Sequence, residues 1–259
     1  TLGYGNGDKV VHNNIYLKGD LDPSGISSAG AASSGIYVYS SSVSNLVVKN
    51  NVVYTDVTCD TVSIKHTCIS IPSSYSWGTG ASNNNDYFTK TTNSQSYIGN
   101  IGSTNYQNLF GTGSWNASTS LDANSVSTDP LFTSSTNLHT NNCVLRQKAI
   151  VIAGITTDME GETRSVSTPD IGADEMHMTL PGRWIGATSG SWNVAFNWCD
   201  NTVPSCNTSD VIISPISINM PSITTGTNNA HNLTIQSGAT LTLNGGSLNL
   251  CGDLNNAGT

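Results

Sequence analysis

The residues able to do chemistry in this chain are scattered carboxylates and a few basic neighbours. Asp20, Asp22, Asp56 and Asp60 fall in the N-terminal quarter together with Lys49, Lys65 and His66. Brought together from adjacent strands, such carboxylates would hold calcium through hard oxygen ligands, and a lysine beside them would remove the proton next to a uronate carboxylate. Solvated turn carboxylates are the plainer reading of the same group. Glycoside hydrolysis would need two carboxylates at a set separation across one bond, and no paired aspartates suggest it. His12, His66, His139, His177 and His231 are dispersed without H-E-x-x-H spacing, and no Gly-x-Ser-x-Gly elbow occurs. No catalytic residue is assigned.

A second acidic group, Asp158-Met159-Glu160-Gly161-Glu162, offers Asp158, Glu160 and Glu162 to a structural calcium ion, the one cofactor the sequence suggests. Asp170 with Asp174 and Glu175 is a similar candidate, and an ordinary surface ion pair with Arg164 is the alternative. Tyr75 and Trp77, in a loop over 73–85, have the ring faces that grip sugars, as have Trp184, Trp192 and Trp198. A lid over the flank and a hydrophobic plug are the competing roles. Cys59 with Cys68 and Cys199 with Cys206 bracket short loops that disulfides would close in an exported protein, leaving Cys143 and Cys251 over. Six buried thiols would be the alternative.

Those groups must be positioned by a chain with few charges. Charged residues make up 10 %, against roughly 25 % in ordinary soluble domains, while Ser, Thr, Asn and Gly abound. Stacked strands suit this composition, because uncharged polar side chains on successive repeats can bond to one another without repulsion. With nine basic residues, seventeen acidic ones and a net charge of −8, there is no clustered positive surface to displace counterions, so nucleic-acid binding is set aside. No apolar run approaches the ~20 residues of a membrane-spanning helix.

The organisation is repetitive. Val10-Val11-His12-Asn13-Asn14-Ile15-Tyr16 is echoed by Val47-Val48-Lys49-Asn50-Asn51-Val52-Val53-Tyr54 and, more loosely, by Asn84-Asn85-Asp86-Tyr87-Phe88. Repeats a few tens of residues long bury their apolar faces on one another. Within a copy, residues 35–39, 44–48 and 51–54 give three short strands separated by polar turns, the pattern of an all-β, right-handed parallel β-helix. Asparagine tolerates left-handed turn geometry, and its amide can bond to the asparagine of the next coil.

From Asp129 the sequence changes character. Asp129-Pro130-Leu131-Phe132, Asn137-Leu138-His139, Gly161-Glu162-Thr163-Arg164 and Pro169-Asp170-Ile171-Gly172-Ala173-Asp174-Glu175 resemble the terminal module of secreted bacterial β-helix proteins of the choice-of-anchor type. That resemblance implies coils over 1–82, a capping module over 83–178 that closes the last coil, strand character at Ile150, Val151, Ile152 and Ile155, and Ile171 in the core. After Met178-Thr179-Leu180-Pro181-Gly182, the tryptophans and the Leu-x-Leu strands resemble a second β-solenoid module, 183–259, of surface proteins exported by the type IX route. The first residues carry no leader and the last, 254–259, end mid-pattern, so the chain reads as a segment of a longer protein. The resemblance implies a non-catalytic, extracellular or cell-surface, adhesin-like segment serving extension, display and attachment. Its partners would be surface glycans or polysaccharide, and secretion machinery during export. A polysaccharide lyase or other carbohydrate-active enzyme on the first helix, or a carbohydrate-binding accessory module, is the alternative.

Overall fold

Gly35-Ile36-Tyr37-Val38-Tyr39 shows how alternation builds this protein. Successive side chains of a strand point to opposite faces, so Ile36 and Val38 are buried while Tyr37 and Tyr39 lie exposed. The computed structural model describes residues 1–21, 32–58, 65–73, 75, 77, 81–90, 95–176, 181–207, 210–215, 217 and 219–259. It is all-β, with parallel sheets and almost no helix. Two compact units, Thr1–Met176 and His177–Thr259, make up the chain.

In the first unit the strands recur in order. β1 (Gly5–Asn6), β2 (Lys9–Val11), β3 (Asn14–Asp20) and β4 (Ser33–Tyr37) are followed by β5 (Val43–Ser44), β6 (Val47–Lys49), β7 (Val52–Thr58) and β8 (His66–Ile71), and then by β9 (Ser82–Asn83), β10 (Asp86–Thr89) and β11 (Ser96–Ile101). Each pairs in parallel with its counterpart, giving sheets β1-β5, β2-β6-β9, β3-β7-β10 and β4-β8-β11. The register joins Val10 to Val48, Tyr16 to Tyr54 and Ile36 to Ile69. β9, β10 and β11, which fall in the capping module expected from Asn83 on, therefore continue the ladders as a third layer. Leu46, Val48, Val53, Ile69, Tyr87 and Ile98 fill the interior, each fully buried aliphatic side chain contributing about 1.5–3 kcal/mol.

The paired asparagines divide their labour. Asn13, Asn51 and Asn85, one per layer, form an inner row: Asn13 Nδ2 donates to Asn51 Oδ1 at 2.8 Å, and Asn51 Nδ2 donates to Asn85 Oδ1 at 3.0 Å. Their backbone N–H groups donate along the same row, from Asn13 to Asn51 and from Asn51 to Asn85. The row ends on Asp122, whose carboxylate accepts from Asn85 Nδ2, Ser82 Oγ, Ser125 Oγ and Trp115 Nε1. The first members, Asn50 and Asn84, and their counterpart His12 have φ of 60°, 56° and 52°. That left-handed turn suits asparagine better than most residues and turns these side chains outward.

Two devices close the unit, where a single end-piece was expected. At the end of the stack, β11 folds back through Gly102 into antiparallel β12 (Thr104–Tyr106), and helix α1 (Trp115–Thr119), N-capped by Ser114, follows. Trp115 lies against Gly99, where an added Cβ would meet the indole at 2.6 Å. Residues 127–176 instead run along the flank as a strap. His12 Nδ1 donates to Gly172 O at 3.0 Å, Asn50 Nδ2 to Ile150 O at 2.7 Å and Asn84 Nδ2 to Lys148 O at 2.8 Å. Ile171 is buried against Val52, Leu145, Ala149 and Met176, as the resemblance implied. Ile150, Val151 and Ile155 are exposed, and Ile150, Val151, Ile152 and Ile155 belong to no strand, because the strap's backbone bonds to side chains of the stack and not to a neighbouring strand.

Burial, reinforced by the Arg164 guanidinium, lowers the His12 pKa to about 4. Neutral His12 donates from Nδ1 to Gly172 O and accepts at Nε2 from Asn50 Nδ2, at 2.8 Å. The folded pKa lies below the unfolded 6.5, so stability is full above 6.5 and falls as pH drops from 6.5 to about 4, where the unfolded state alone binds the proton. Asp170 acts oppositely: burial raises its pKa to about 6, so folding gains as pH falls from about 6 towards 3.8. Melting temperatures of the full chain between pH 7 and 4 are expected to fall less in His12→Gln than in the parent.

In the second unit β13 (Val211–Ile213), β14 (Ser222–Ile223), β15 (Thr227–Ala230), β16 (Leu233–Ile235), β17 (Thr242–Leu243), β18 (Ser247–Leu250) and β19 (Leu254–Asn256) pair in parallel as β13-β16-β19, β14-β17 and β15-β18. Trp184, Trp192 and Trp198 pack edge to face at 4.8–4.9 Å and lie over Val211, Ile213 and Ile223 in one core.

Cys206 is bonded to Cys251, with Cα atoms 5.4 Å apart, which corrects the expected Cys199–Cys206 bridge. Parallel stacking brings the residue after β18 beside Cys206, so the neighbour in sequence is not the neighbour in space. Cys143 and Cys199 are also disulfide-bonded. Cys68 is a buried free thiol donating to Phe88 O, and not half of a local bridge; its expected partner Cys59 lies outside the described residues. Burial raises the Cys68 pKa well above the ordinary thiol value, which keeps it inert.

Candidate functional site

Residues of β4 and β8 border a cleft on the first unit. Ser33, Ser34, Thr67 and Ser70 supply hydroxyls, Lys65 a cation, Asn100 an amide, and Tyr37 and Tyr39 two rings, around a cleft of about 690 Å³. The two rings lie edge to face with centroids 6.2 Å apart, and Tyr39 is 65 % exposed. Such a lining can accept and donate to hydroxyl-rich ligands while the rings cover apolar sugar faces. No described residue lining the cleft is a carboxylate.

The described acidic and basic candidates do not converge. Asp56 lies on the β3-β7-β10 sheet, paired with Lys90 at 3.3 Å and accepting from Tyr16 Oη at 3.4 Å. Tyr16 and Tyr54 stack at 4.6 Å on that face beside Phe132, and burial, then Asp56, raises both phenol pKa values. Asp20 ends β3, exposed, and Lys49 ends β6. Among the described candidates only Lys65 lines the cleft. His66 is buried, with Nδ1 against Ser33 Oγ at 2.9 Å, Nε2 without a hydrogen-bond partner among the described residues, and a pKa lowered by burial. Asp22 and Asp60 lie outside the described residues.

No protein-family model, curated protein or solved structure matches this chain. What the sites can do must therefore be read from their own geometry.

The aromatic candidates are placed in cores. Trp184, Trp192 and Trp198 are at most 1 % exposed and present no face to solvent. Tyr75 is buried and Trp77 half-buried, in edge-to-face contact at 5.0 Å against the first unit's core. The exposed pair is Tyr37 and Tyr39, which in the sequence marked only a strand. Their spacing of two around buried Val38 was the available signal, since it places both rings on the outer face.

The acidic turn is also rearranged. Asp158 Oδ1 accepts the backbone N–H groups of Glu160 and Glu162, and Oδ2 that of Glu175. Burial would raise its pKa, but these three donors outweigh it and hold the carboxyl below its ordinary range. Asp158 therefore shapes the turn. Asp170 similarly accepts from Gln147 and Met176. Arg164 is buried and pairs with Glu175 at 3.3 Å while donating to the carbonyls of Thr157, Gly172 and Ala173, so it is an internal brace and not a surface partner of the turn. Glu160 lies instead against His139: His139 Nε2 is 3.0 Å from Glu160 Oε1, and His139 Nδ1 is 3.3 Å from Asp174 Oδ2. Asp158, Glu160 and Glu162 thus do not assemble as the expected set; His139, Glu160 and Asp174 do.

Proposed function

We propose that this chain is a non-catalytic, β-helical segment of a secreted or cell-surface protein, working in extension, display and attachment. The observation that carries the reading is the commitment of its repeated polar side chains to structure. The inner asparagines bond from layer to layer and the outer ones hold the strap. Parallel ladders in both units, recurring every 20–22 residues in the second, fit two successive solenoid modules. Disulfide-bonded Cys143, Cys199, Cys206 and Cys251 fit an oxidising, extracellular setting. Passage through a type IX secretion system, with its machinery as a transient partner, belongs to the same proposal.

Attachment would be through glycan at the Tyr37/Tyr39 cleft, a second reading favoured by that exposed aromatic pair among hydroxyls. Incubation with a panel of acidic and neutral polysaccharides tests both. Retention on at least one immobilised glycan is expected, weakened about tenfold or more in Tyr37→Ala/Tyr39→Ala, with no release of unsaturated or reducing ends. Release of such ends would overturn the non-catalytic reading, and unaltered retention in the double variant would overturn the cleft.

A further inference from the structure

We propose that His139, Glu160 and Asp174 form a site for a first-row divalent transition-metal ion of the zinc type, which ties together three separate segments of the strap. The inference is independent of the display function. One ligating atom from each side chain lies within 4.8 Å of the others, a span that small side-chain rotations close onto one ion. The residues come from widely separated positions, and backbone bonds already hold two of the segments together, from Met159 N to Ala173 O at 3.0 Å.

The chemistry of the donors selects the ion. His139 faces a carboxylate at each ring nitrogen, at 3.0 and 3.3 Å. These are ion-pair distances, and the two carboxylates bring more negative charge together than the ring, neutral or protonated, offsets. A divalent cation offsets that charge by taking one ring nitrogen and both carboxylates as ligands. Imidazole with two carboxylates suits zinc and its neighbours, whereas calcium prefers six to eight oxygens. His139 and Glu160 side chains are each 39 % exposed, leaving an entry path and room for water to complete the coordination shell.

Titration of the metal-stripped full chain with zinc chloride, followed by calorimetry, tests the site. One zinc ion per chain is expected, with binding weakened at least about tenfold in His139→Ala and in Glu160→Gln, by analogy with the losses that follow disturbance of metal ligation. Calcium chloride should not compete. Unchanged circular dichroism of Glu160→Gln verifies that the weaker binding is local, and Asp174→Asn serves as a second variant should one fail to fold. Absence of zinc binding, binding unaffected by the variants, or equal affinity for calcium would each overturn the proposal.

Discussion

Replacement of Asp122 by alanine is expected to destabilise the first unit by about 3–5 kcal/mol, since each buried donor left without an acceptor costs about 1–3 kcal/mol and hydroxyls can partly re-aim. Four side chains lose an acceptor at once: Ser82 Oγ, Ser125 Oγ, Trp115 Nε1 and Asn85 Nδ2, which keeps Val48 O. Asp122 is 1 % exposed, so water does not replace the carboxylate without entering the end of the stack. The site is also where the asparagine row meets the closing helix, so layer stacking and end closure fail together. Urea unfolding followed by near-ultraviolet circular dichroism reads the effect. Asp122→Asn keeps one acceptor oxygen, and a markedly smaller loss is expected there; equal losses in the two variants would mean that packing, and not hydrogen bonding, governs the site.

Asn51→Leu is expected to be comparably damaging, at about 3–5 kcal/mol, because leucine fills the volume but none of the bonds. Asn51 Oδ1 accepts from the backbone N–H and side chain of Asn13, and Nδ2 donates to Val10 O, Lys49 O and Asn85 Oδ1. The neighbouring Asn50 supplies the contrast. Its side chain bonds to Ile150 of the strap and to His12, so Asn50→Ala should loosen the strap at a cost of about 1–3 kcal/mol while the three strand layers persist. Urea midpoints for the two variants, read beside hydrogen exchange at the Ile150 amide, separate these outcomes. Equal unfolding of strap and strands by both substitutions would contradict the division between inner and outer rows.

Much of this architecture was legible in the residues. The recurrence of Asn-Asn between β-branched runs marked layers stacked at spacings of a few tens of residues, and period-two alternation around Val38 and Val48 gave strands whose parallel pairing the structure bears out. The division of labour between neighbouring residues was not legible, because it depends on which of them takes positive φ, His12, Asn50 and Asn84 in the three layers, a property of the turn. The strap's course was hidden for a related reason. Its apolar residues at 150–155 look like a strand, yet its backbone groups find partners on His12, Asn50 and Asn84, which only the folded stack presents. Long-range pairings misled in the same way. Cys206 meets Cys251 across 45 positions, and Glu160 meets His139 and Asp174 where the sequence offered the nearer Asp158 and Glu162.

The inner row is the feature on which the account turns, and hydrogen exchange at its backbone amides tests it most directly. The N–H groups of Asn51 and Asn85 donate to side-chain acceptors one layer on, Asn85 Oδ1 and Ser125 Oγ. In the full chain they should exchange as slowly as the strand amides of Val52 and Asp86, and Asn51→Leu should speed exchange at Asn13, whose amide loses its acceptor. Exchange at Asn51 and Asn85 at the rate of exposed turns, while Val52 and Asp86 stay protected, would show that the asparagines do not join the layers.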